Sequence, residues 1–416
     1  MTILNKMYDI ITKAINNSEL VVSKNIKFSS IIFGNGINEN YLYLTDNLYC
    51  LIDLIRRGYS NKIDLIYIDP PFFTNMSFDK KIKINLEDEE IVLKRNDFSD
   101  SYENGLEQFI YDIALRMNLM RELLSDTGSI YVHVDNRINH YIRIVLDEVF
   151  GEKNFINEII WVYKSGGASN RRFSKKHDNI YLYSKTDKYI FNQQKEKSYN
   201  RGYKPYKFRD VIEYKDDLGW YTLVKAKDVW NINMVGRTSK ERVNYSTQKP
   251  LELIKKAILA STNDNAIVAD FYLGSGTTAV AASELNRKWI GCDQNPISII
   301  YTERRLRNLD FTLLIEKESQ KFCRNFDIEY HKDEKNLYLF VKDYINIHND
   351  KLKTKPFLYI EKIYVCNNQN DNFNIVSSVD KTSIKENKIN ITLNGESNLY
   401  IIIVDLFGNI DFHKLS

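Results

Sequence analysis

The sequence predicts an α/β fold with a mainly parallel sheet flanked by helices, on two observations. Apolar runs with strand composition alternate with stretches of helical periodicity through most of the first 310 residues, which is typical of parallel strands covered by helices. The chain is also long enough, at 416 residues, for more than one compact unit, because single hydrophobic cores stop growing near roughly 250–300 residues. Additional units are therefore expected beside the sheet.

The first elements follow in order along the N-terminal part. An amphipathic helix is predicted within residues 1–40, and "NYLYLTDNLYCLIDLI" predicts a strand leading into a helix capped by Asp46 or Asn47. "KIDLIYID" predicts a buried strand. Residues 73–103 are polar and charged, and we expect them to form a long, mobile excursion.

The alternation then continues to about residue 310. A helix from Gly105 is expected to stop at Gly128 as a C-cap. Pro250 is expected in the first turn of a later helix. The remaining elements are predicted in "SIYVHVD" (strand), "RINHYIRIVLDEVFG" (helix), "INEIIWVYK" (strand), "NAIVADFYLGSGTTAVAASELN" (strand, glycine loop and helix), "RKWIGCDQN" (strand) and "PISIIYTERRLRNL" (helix).

Beyond residue 310 the pattern changes. Short apolar alternations such as "NLYLFVKDY" and "KINITL" are separated by Asn, Asp and Gly, which predicts a small antiparallel β-rich appendage.

Composition excludes several classes of protein. Hydrophobic residues make up 43% and charged residues 27% of the chain, and no run approaches the roughly 20 apolar residues needed to cross a bilayer. The N-terminus lacks the basic and apolar blocks of a signal peptide, so a cytoplasmic location is expected. The four cysteines, Cys50, Cys292, Cys323 and Cys366, form no CxxC pair, which favours buried free thiols over a zinc site or disulfides.

A basic stretch interrupts the alternation between residues 164 and 209. It holds 13 Lys and Arg against 3 Asp and Glu, together with nine Tyr and Phe. A solvated charged loop is the simple interpretation, but cations interleaved with aromatic rings favour nucleic-acid contact, since Lys and Arg bind phosphates. The first candidates for phosphate contacts, which we call the basic cluster, are Arg171, Arg172, Lys175 and Lys176. No histidine shows metal-ligand spacing, so none is given a catalytic role and no metal is expected.

The segment "ADFYLGSGTTAVAASELNRKWIGCDQN" points to a nucleoside site. A strand ends at Asp270, Gly274 and Gly276 follow, and a second strand ends at Asp293. Glycines allow close backbone approach to a ligand, and an acid about 20 residues later is placed to accept ribose hydroxyls. The loop lacks both the GxGxxG pattern and a phosphate-binding lysine. S-adenosylmethionine therefore fits better than a dinucleotide, while a purely structural turn stays the alternative.

The strand "IDLIYIDPPF" ends on an acid, two prolines and an aromatic ring. Taken with "FYLGSGTT" and "STQKPLELI", this motif resembles the amino-methylating DNA methyltransferases, most closely the β-type adenine-N6 enzymes of the DPPY/F group. In that family the catalytic tetrapeptide precedes the cofactor loop and the target-recognition region lies between them. The resemblance covers roughly residues 40–310 and implies a Rossmann-like methyltransferase fold.

The resemblance also implies roles for individual residues. Asp69, Pro70, Pro71 and Phe72 correspond to the catalytic tetrapeptide, in which Asp69 and the Pro70 carbonyl accept hydrogen bonds from the target amino group and Phe72 stacks on the flipped base. The residues that correspond to cofactor-binding positions are Asp46, Asn47, Thr247, Gln248, Lys249, Pro250, Asp270, Phe271, Tyr272, Gly274, Ser275, Gly276, Thr277 and Asp293.

Two departures from the family pattern are visible. The family usually has Asp-Pro-Phe at the start of the cofactor loop, and Phe271 stands at the proline position in Asp270, Phe271, Tyr272. Phe73 follows the tetrapeptide where relatives more often have Asn. Phe73 either extends the base pocket or packs beneath the loop that follows. An aspartate at position 69 goes mostly with adenine in this family. Cytosine-N4 methylation, RNA adenine methylation and a catalytically silent DNA- or nucleoside-binding protein stay open.

The implied organisation has five parts. Residues 1–40 would be a helical extension, 41–163 the catalytic part, 164–232 the target-recognition region, 233–310 the cofactor-binding part and 311–416 the β-rich appendage. The expected function is S-adenosylmethionine-dependent methylation of adenine N6 in double-stranded DNA, as the modification component of a restriction-modification system or as a solitary methylase. A homodimer and a cognate restriction subunit are partners left open.

Overall fold

The computed structural model describes residues 3–34, 39–74, 76–86, 89–100, 102–164, 169–243, 245–307, 309–317, 324–346, 349–369, 372–393 and 396–415. In those residues the α-helices are Ile3–Val22 (α1), Asn47–Arg56 (α2), Gly105–Leu123 (α3), Asn139–Leu146 (α4), Leu251–Ser261 (α5), Thr277–Glu284 (α6) and Pro296–Arg305 (α7).

The strands of the described residues are Phe28–Phe33 (β1), Tyr41–Leu44 (β2), Ile63–Ile68 (β3), Ser77–Asn85 (β4), Glu90–Ser99 (β5), Leu124–Val134 (β6), Phe155–Val162 (β7), His177–Ser184 (β8), Lys195–Tyr199 (β9), Glu213–Asp216 (β10), Gly219–Lys225 (β11), Val229–Asn231 (β12), Ile267–Asp270 (β13), Lys288–Asp293 (β14), Phe311–Glu316 (β15), Phe326–Lys332 (β16), Asn336–Tyr344 (β17), Ile360–Gln369 (β18), Asn372–Asp380 (β19), Lys388–Thr392 (β20), Leu399–Asp405 (β21) and Ile410–Lys414 (β22).

One large sheet organises the molecule, in the strand order β12-β7-β8-β6-β3-β13-β14-β2-β15-β1-β19-β18-β21-β22. Its central six strands, from β6 to β15, all run parallel. The predicted α/β fold is thus confirmed.

Helices cover both faces of this sheet. Alternate residues of β3 point to opposite sides, so that Ile66 and Ile68 join a core with α1 to α4 while Leu65 and Tyr67 join a core with α5 to α7. Because both faces are buried, the residues of β3 after Asp64 form an apolar run.

The predicted helix stop at Gly128 is wrong. Helix α3 ends at Leu123, and Gly128 lies inside strand β6. A Cβ atom at Gly128 would stand 2.9 Å from the carbonyl oxygen of Ile63. The glycine therefore permits the close approach of β6 to the start of β3.

The prediction of a long, mobile excursion over residues 73–103 is also wrong. Strands β4 and β5 form an antiparallel hairpin there. Its apolar residues Ile84, Ile91 and Leu93 are buried in a third core that they share with the C-terminal strands. Charged residues alternate with these apolar ones, so the segment has the period of a strand although its overall composition is polar.

The C-terminal residues have the predicted β-rich character. Strands β16, β17 and β20 form a separate antiparallel sheet, whereas β18, β19, β21 and β22 extend the large sheet through a parallel pairing of β1 with β19. Strand β15 belongs to the parallel centre of the sheet. The boundary at residue 311 stays a prediction.

Part of the basic stretch belongs to the large sheet. Strand β8 lies between β6 and β7 and runs antiparallel to both, with Ile180 and Leu182 buried. Strands β9, β10 and β11 form a small sheet of their own, and β12 is the edge strand beside β7. The assignment of residues 164–232 to target recognition stays a prediction.

Candidate active site

The candidate site lies where the strand order of the large sheet reverses. Strands β3 and β13 are neighbours, but the chain continues from β3 through α3 to β6 on one side and from β13 through α6 to β14 on the other. A crevice forms at such a switch point, beyond the carboxyl ends of the strands. A cavity of about 570 Å³ opens there, with Asp69 on one side and Gly274 and Asp293 on the other.

Asp69 follows β3 directly and enters this cavity. Its Oδ2 accepts a hydrogen bond from the ammonium group of Lys249. Its Oδ1 is buried and, among the residues that the structure describes, has no hydrogen-bond partner. A buried acceptor normally finds a donor, so Oδ1 is an unsatisfied acceptor at the wall of the cavity.

The ring of Phe72 forms the wall beside this carboxylate. It is partly exposed and lies 6.0 Å from the Lys249 ammonium and 6.1 Å from the ring of His133. Pro70 and Pro71 line the cavity between Asp69 and Phe72. Within the described chain, the four residues of the tetrapeptide thus face one space.

A second carboxylate, Asp100, fixes the loop that carries Phe72. It is 2% exposed and accepts hydrogen bonds from the backbone N–H groups of Phe72 at 3.1 Å, Phe73 at 3.0 Å and Thr74 at 2.9 Å. Phe73 has a positive φ of 53°, a conformation that a bulky residue rarely adopts. Asp100 sits at the end of the hairpin that sequence analysis missed, and no motif marks it.

The ring of Phe73 points away from the base side of the site. It packs against Tyr102 and Phe109, with ring centroids 6.0 Å and 5.5 Å away. Phe73 therefore anchors the loop in the core under α3. Of the two roles considered for it, this contact favours packing over an extension of the base pocket.

His133, on β6, is a second side chain beside the site that sequence analysis missed. It is fully buried, with Nδ1 3.2 Å from the hydroxyl of Tyr67 and 3.9 Å from Asp69 Oδ1, and with Nε2 3.3 Å from Asp178 Oδ2. The ring also meets Trp161 edge-on at 5.3 Å. A polar residue in the otherwise apolar strand "SIYVHV" was the available signal.

The glycine loop forms the opposite wall of the cavity. Gly274 and Gly276 have φ values of 55° and 77°, and the N–H of Gly274 donates to Asp293 Oδ2 at 2.8 Å. Burial raises the pKa of Asp293 to about 6. Burial also raises the pKa of Asp270 to about 7, although the Thr278 hydroxyl donates to that carboxylate at 2.5 Å.

Asp46 and Asn47 reach the same cavity from the start of α2. Asp46 is the N-cap, since its Oδ1 accepts from the N–H of Leu48 at 2.8 Å, and Asn47 donates to the carbonyl of Phe271 at 3.0 Å. Arg116 of α3 donates to both, at 3.0 Å to Asp46 and 2.6 Å to Asn47. Arg116 lines the cavity and was not predicted, although a cation within an apolar helix face marks such a position.

The segment 247–250 lies across the glycine loop. Thr247 and Lys249 line the cavity, and the carbonyl of Lys249 accepts from the Thr277 hydroxyl at 3.3 Å. Gln248 instead braces the preceding loop, where its Nε2 donates to the carbonyl of Glu241 at 2.7 Å.

The structure brings together most of the residues that the sequence singled out. Those that line the cavity are Asp46, Asn47, Asp69, Pro70, Pro71, Phe72, Thr247, Lys249, Asp270, Tyr272, Gly274, Ser275, Thr277 and Asp293. Four others support it from outside: Gln248, Pro250, Phe271 and Gly276. Pro250 caps α5, and the ring of Phe271 is buried in the core. The roles of these residues stay predictions.

Three further expectations concern metals, membranes and thiols. Among the described residues, no group of three or more His, Cys, Asp or Glu side chains is arranged to hold a metal ion. No helix in the described part of the chain is long and apolar enough to cross a membrane. Cys50, Cys292 and Cys366 are free and buried as expected, and Cys323 lies outside the described residues.

Comparison with known proteins gives consistent matches. The family model described as DNA methylase, of the N6/N4 type, matches residues 63–303, which is more than half of the chain. The type II methyltransferase M.EcaI of Enterobacter cloacae is 27% identical over 322 residues, covering 62% of this chain and 67% of that protein. M.HpaI of Haemophilus parainfluenzae is 29% identical over 250 residues, covering 59% and 68%.

Two more matches are a shorter relative and a solved structure. M1.MboII of Moraxella bovis is 33% identical over 159 residues, covering 34% of this chain and 58% of that protein. The crystal structure of the M1.HpyAVI-SAM complex is 21% identical, with a TM-score of 0.43, and the match covers 65% of this chain and 99% of that one. The chain thus spans about two thirds or less of the length of the three curated relatives.

Proposed function

The chain belongs to the N6/N4 DNA methylase family, and from this premise we propose that it transfers a methyl group from S-adenosylmethionine to N6 of an adenine flipped out of duplex DNA. The observation that carries this proposal is the unsatisfied carboxylate oxygen of Asp69. This oxygen is buried and without a hydrogen-bond partner among the described residues, beside an aromatic ring and across one cavity from the glycine loop.

Asp69 and Pro70 would grip the amino group from two sides. The lone pair of an exocyclic amine is delocalised into the ring, so the amine is a poor nucleophile until hydrogen-bond acceptors favour its pyramidal form. Because Lys249 already donates to Oδ2 of Asp69, Oδ1 is left to accept one N–H, and the Pro70 carbonyl accepts the other. The carboxylate then stabilises the positive charge that develops on N6.

Phe72 would hold the base in place by stacking. Stacking of a base on an aromatic side chain contributes about 1–3 kcal/mol, which offsets part of the few kcal/mol needed to take the base out of the duplex. Asp100 already holds the backbone N–H of Phe72, and the ring of Phe72 lies 6.1 Å from that of His133. Little conformational freedom is therefore lost when the base arrives.

The residues present fit S-adenosylmethionine as the methyl donor. A Cβ atom at Gly274 would stand 3.3 Å from the ring of Tyr245. The glycine therefore avoids crowding this ring at the wall of the cavity. Asp293 would accept the ribose hydroxyls. Arg116 and Asp46 would offer a positive and a negative charge to the carboxylate and the amino group of the methionine part of the cofactor. S-adenosylmethionine would supply an electrophilic methyl group when bound, with S-adenosylhomocysteine and one proton from N6 as the other products.

The choice of adenine N6 rests on Asp69, because an aspartate at this position goes mostly with adenine in the family. Cytosine N4 is the second candidate, since its amino group presents the same two N–H donors and the matched family model covers both reactions. A partner nuclease is consistent with the type III Mod subunits among the relatives. We therefore place the chain as the modification component of a restriction-modification system or as a solitary methylase.

The test is radiolabelled methyl transfer to duplex DNA of mixed sequence, followed by mass analysis of the digested nucleosides. N6-methyladenine is the expected product, and N4-methylcytosine would overturn the adenine assignment. Asp69→Ala should abolish transfer and leave cofactor binding intact. Asp264→Ala is the matched control, because Asp264 precedes the neighbouring strand β13 with a side chain that is 83% exposed. Full transfer by Asp69→Ala would contradict the mechanism.

A further inference from the structure

The described residues of the loop between β7 and β8, 163–164 and 169–176, lie at the edge of the sheet that carries the candidate active site. Strand β8 runs antiparallel to β6, with Asn179 opposite Val134, and β7 pairs with β8 so that Val162 stands opposite His177. The end of β7 and the start of β8 therefore meet at the edge where β3 delivers Asp69.

Described contacts fix the second half of this loop beside the site. The carbonyl of Lys176 accepts from the N–H of Tyr163 at 3.0 Å, and Lys175 donates to Asn136, just after β6, at 2.6 Å. Asp178, two residues further, contacts His133. The basic cluster thus stands within a few residues of the network around Asp69.

Phe173 lies in the middle of the basic cluster and is 100% exposed. Other exposed large apolar side chains of the described chain keep part of their surface covered, such as Ile212 at 73% exposed. Arg171 and Arg172 precede Phe173 directly and are also exposed. A fully exposed ring adds no packing to the folded chain, so the structure gives it no role in stability.

The surroundings of Phe173 fit one occupant, the DNA duplex. Flanking cations bring the loop to the phosphates without reading sequence. A base that leaves the duplex opens a gap in the stack, and apolar side chains inserted at base steps are a known means of deforming DNA. An aromatic ring has the flat face that such a gap accepts.

We propose that Phe173 inserts into the DNA at the step vacated by the flipped base, and that the basic cluster positions it there by phosphate contacts. The inference rests on the proposed function, because it requires that a base leaves the duplex. Phe173 is thereby a side chain that promotes base extrusion and not one that touches the reacting atoms.

The test uses the full chain and a duplex whose target site is first mapped by methylation-sensitive sequencing. Methyl transfer and DNA affinity are measured for wild type, Phe173→Ala and Phe173→Trp, each on a fully paired duplex and on one with an abasic site opposite the target base. Leu20→Ala is the control, since Leu20 is 71% exposed on α1.

Phe173→Ala should lose about 5- to 150-fold in kcat/KM on the paired duplex, the range expected for one stacking contact. The loss should be several-fold smaller when the target base is already unpaired, and Phe173→Trp should restore most of the activity. Equal losses on both duplexes, or no loss, would overturn the insertion while leaving the methyltransferase intact. A wild-type protein that methylates no DNA would overturn both proposals.

Discussion

Replacing Asp100 with Ala removes the carboxylate that holds the loop from Phe72 to Thr74. The three backbone N–H groups it satisfies lie between 2.9 and 3.1 Å from its oxygens. No replacement acceptor comes with alanine, and the loop includes Phe73 at a positive φ. We expect the loop to lose its fixed conformation while β3 and the glycine loop keep theirs.

The magnitude follows from the number and kind of bonds. A hydrogen bond to a charged group contributes about 1.5–3 kcal/mol, so three independent bonds would give roughly 4.5–9 kcal/mol. The three share one acceptor, and water can enter the space left behind, so the effects are not additive. We expect Asp100→Ala to lower the free energy of unfolding by about 3–5 kcal/mol, and Asp100→Asn, which keeps one acceptor oxygen, by about half of that.

Two measurements check this expectation, denaturant unfolding and single-turnover methyl transfer with saturating cofactor. A misplacement of about 1 Å costs on the order of 100-fold in rate, so Asp100→Asn should lose most of its transfer rate and keep its cofactor affinity. Asp79→Asn on the same hairpin is the control, because Asp79 is exposed and accepts only from Ser77 among the bonds described. Wild-type stability and rate in Asp100→Asn would refute the reasoning.

Three further predictions concern the cofactor, the base and the DNA. Burial raises the pKa of Asp293 to about 6, and in the proposed role its ionised form accepts the ribose hydroxyls. Cofactor affinity by calorimetry should therefore fall about tenfold per pH unit below pH 6. Asp293→Asn should flatten this profile, and a flat wild-type profile would contradict the proposed role. His133→Leu should lower kcat by about 10- to 100-fold with unchanged cofactor affinity; an unchanged kcat would exclude a positioning role. Neutralising the basic cluster should weaken DNA binding. It should also reduce the slope of the logarithm of the binding constant against the logarithm of the salt concentration by about 0.9 for each phosphate that the variant no longer neutralises. An unchanged slope in a salt titration would contradict the assignment.

The parts of the fold that the sequence predicts are those in which local pattern and tertiary structure agree. Strand β3 is apolar except for Asp64 because both faces are buried, and Asp46 caps α2 through its own side chain. The predictions that failed concern elements whose structure depends on contacts with residues far away in the sequence. Gly128 looks like a helix stop until β3 is placed beside it, and "HDNIYLYS" reads as part of a charged stretch because its neighbours in sequence dominate the composition.

The candidate site divides in the same way. Asp69 and Asp293 stand at strand ends and Gly274 in the loop after β13, a recognisable spacing, so sequence alone brings them together. Asp100 and His133 act through contacts with residues that are 26 to 66 positions away. No motif marks Asp100, and the signal for His133 is only that of a polar residue in a mostly apolar strand.

The position of β1 in the large sheet has a consequence for how the chain reaches its native state. Strand β1 pairs on one side with β15, where Phe28 stands opposite Glu316, and on the other with β19. Both partners are synthesised long after β1 has left the ribosome. Contacts between residues so far apart in sequence close slowly, and an unpaired strand edge invites aggregation in the meantime. The growing chain must therefore protect β1 during most of its synthesis, and we expect soluble yield to depend on chaperones more strongly than for a sheet assembled from neighbouring strands.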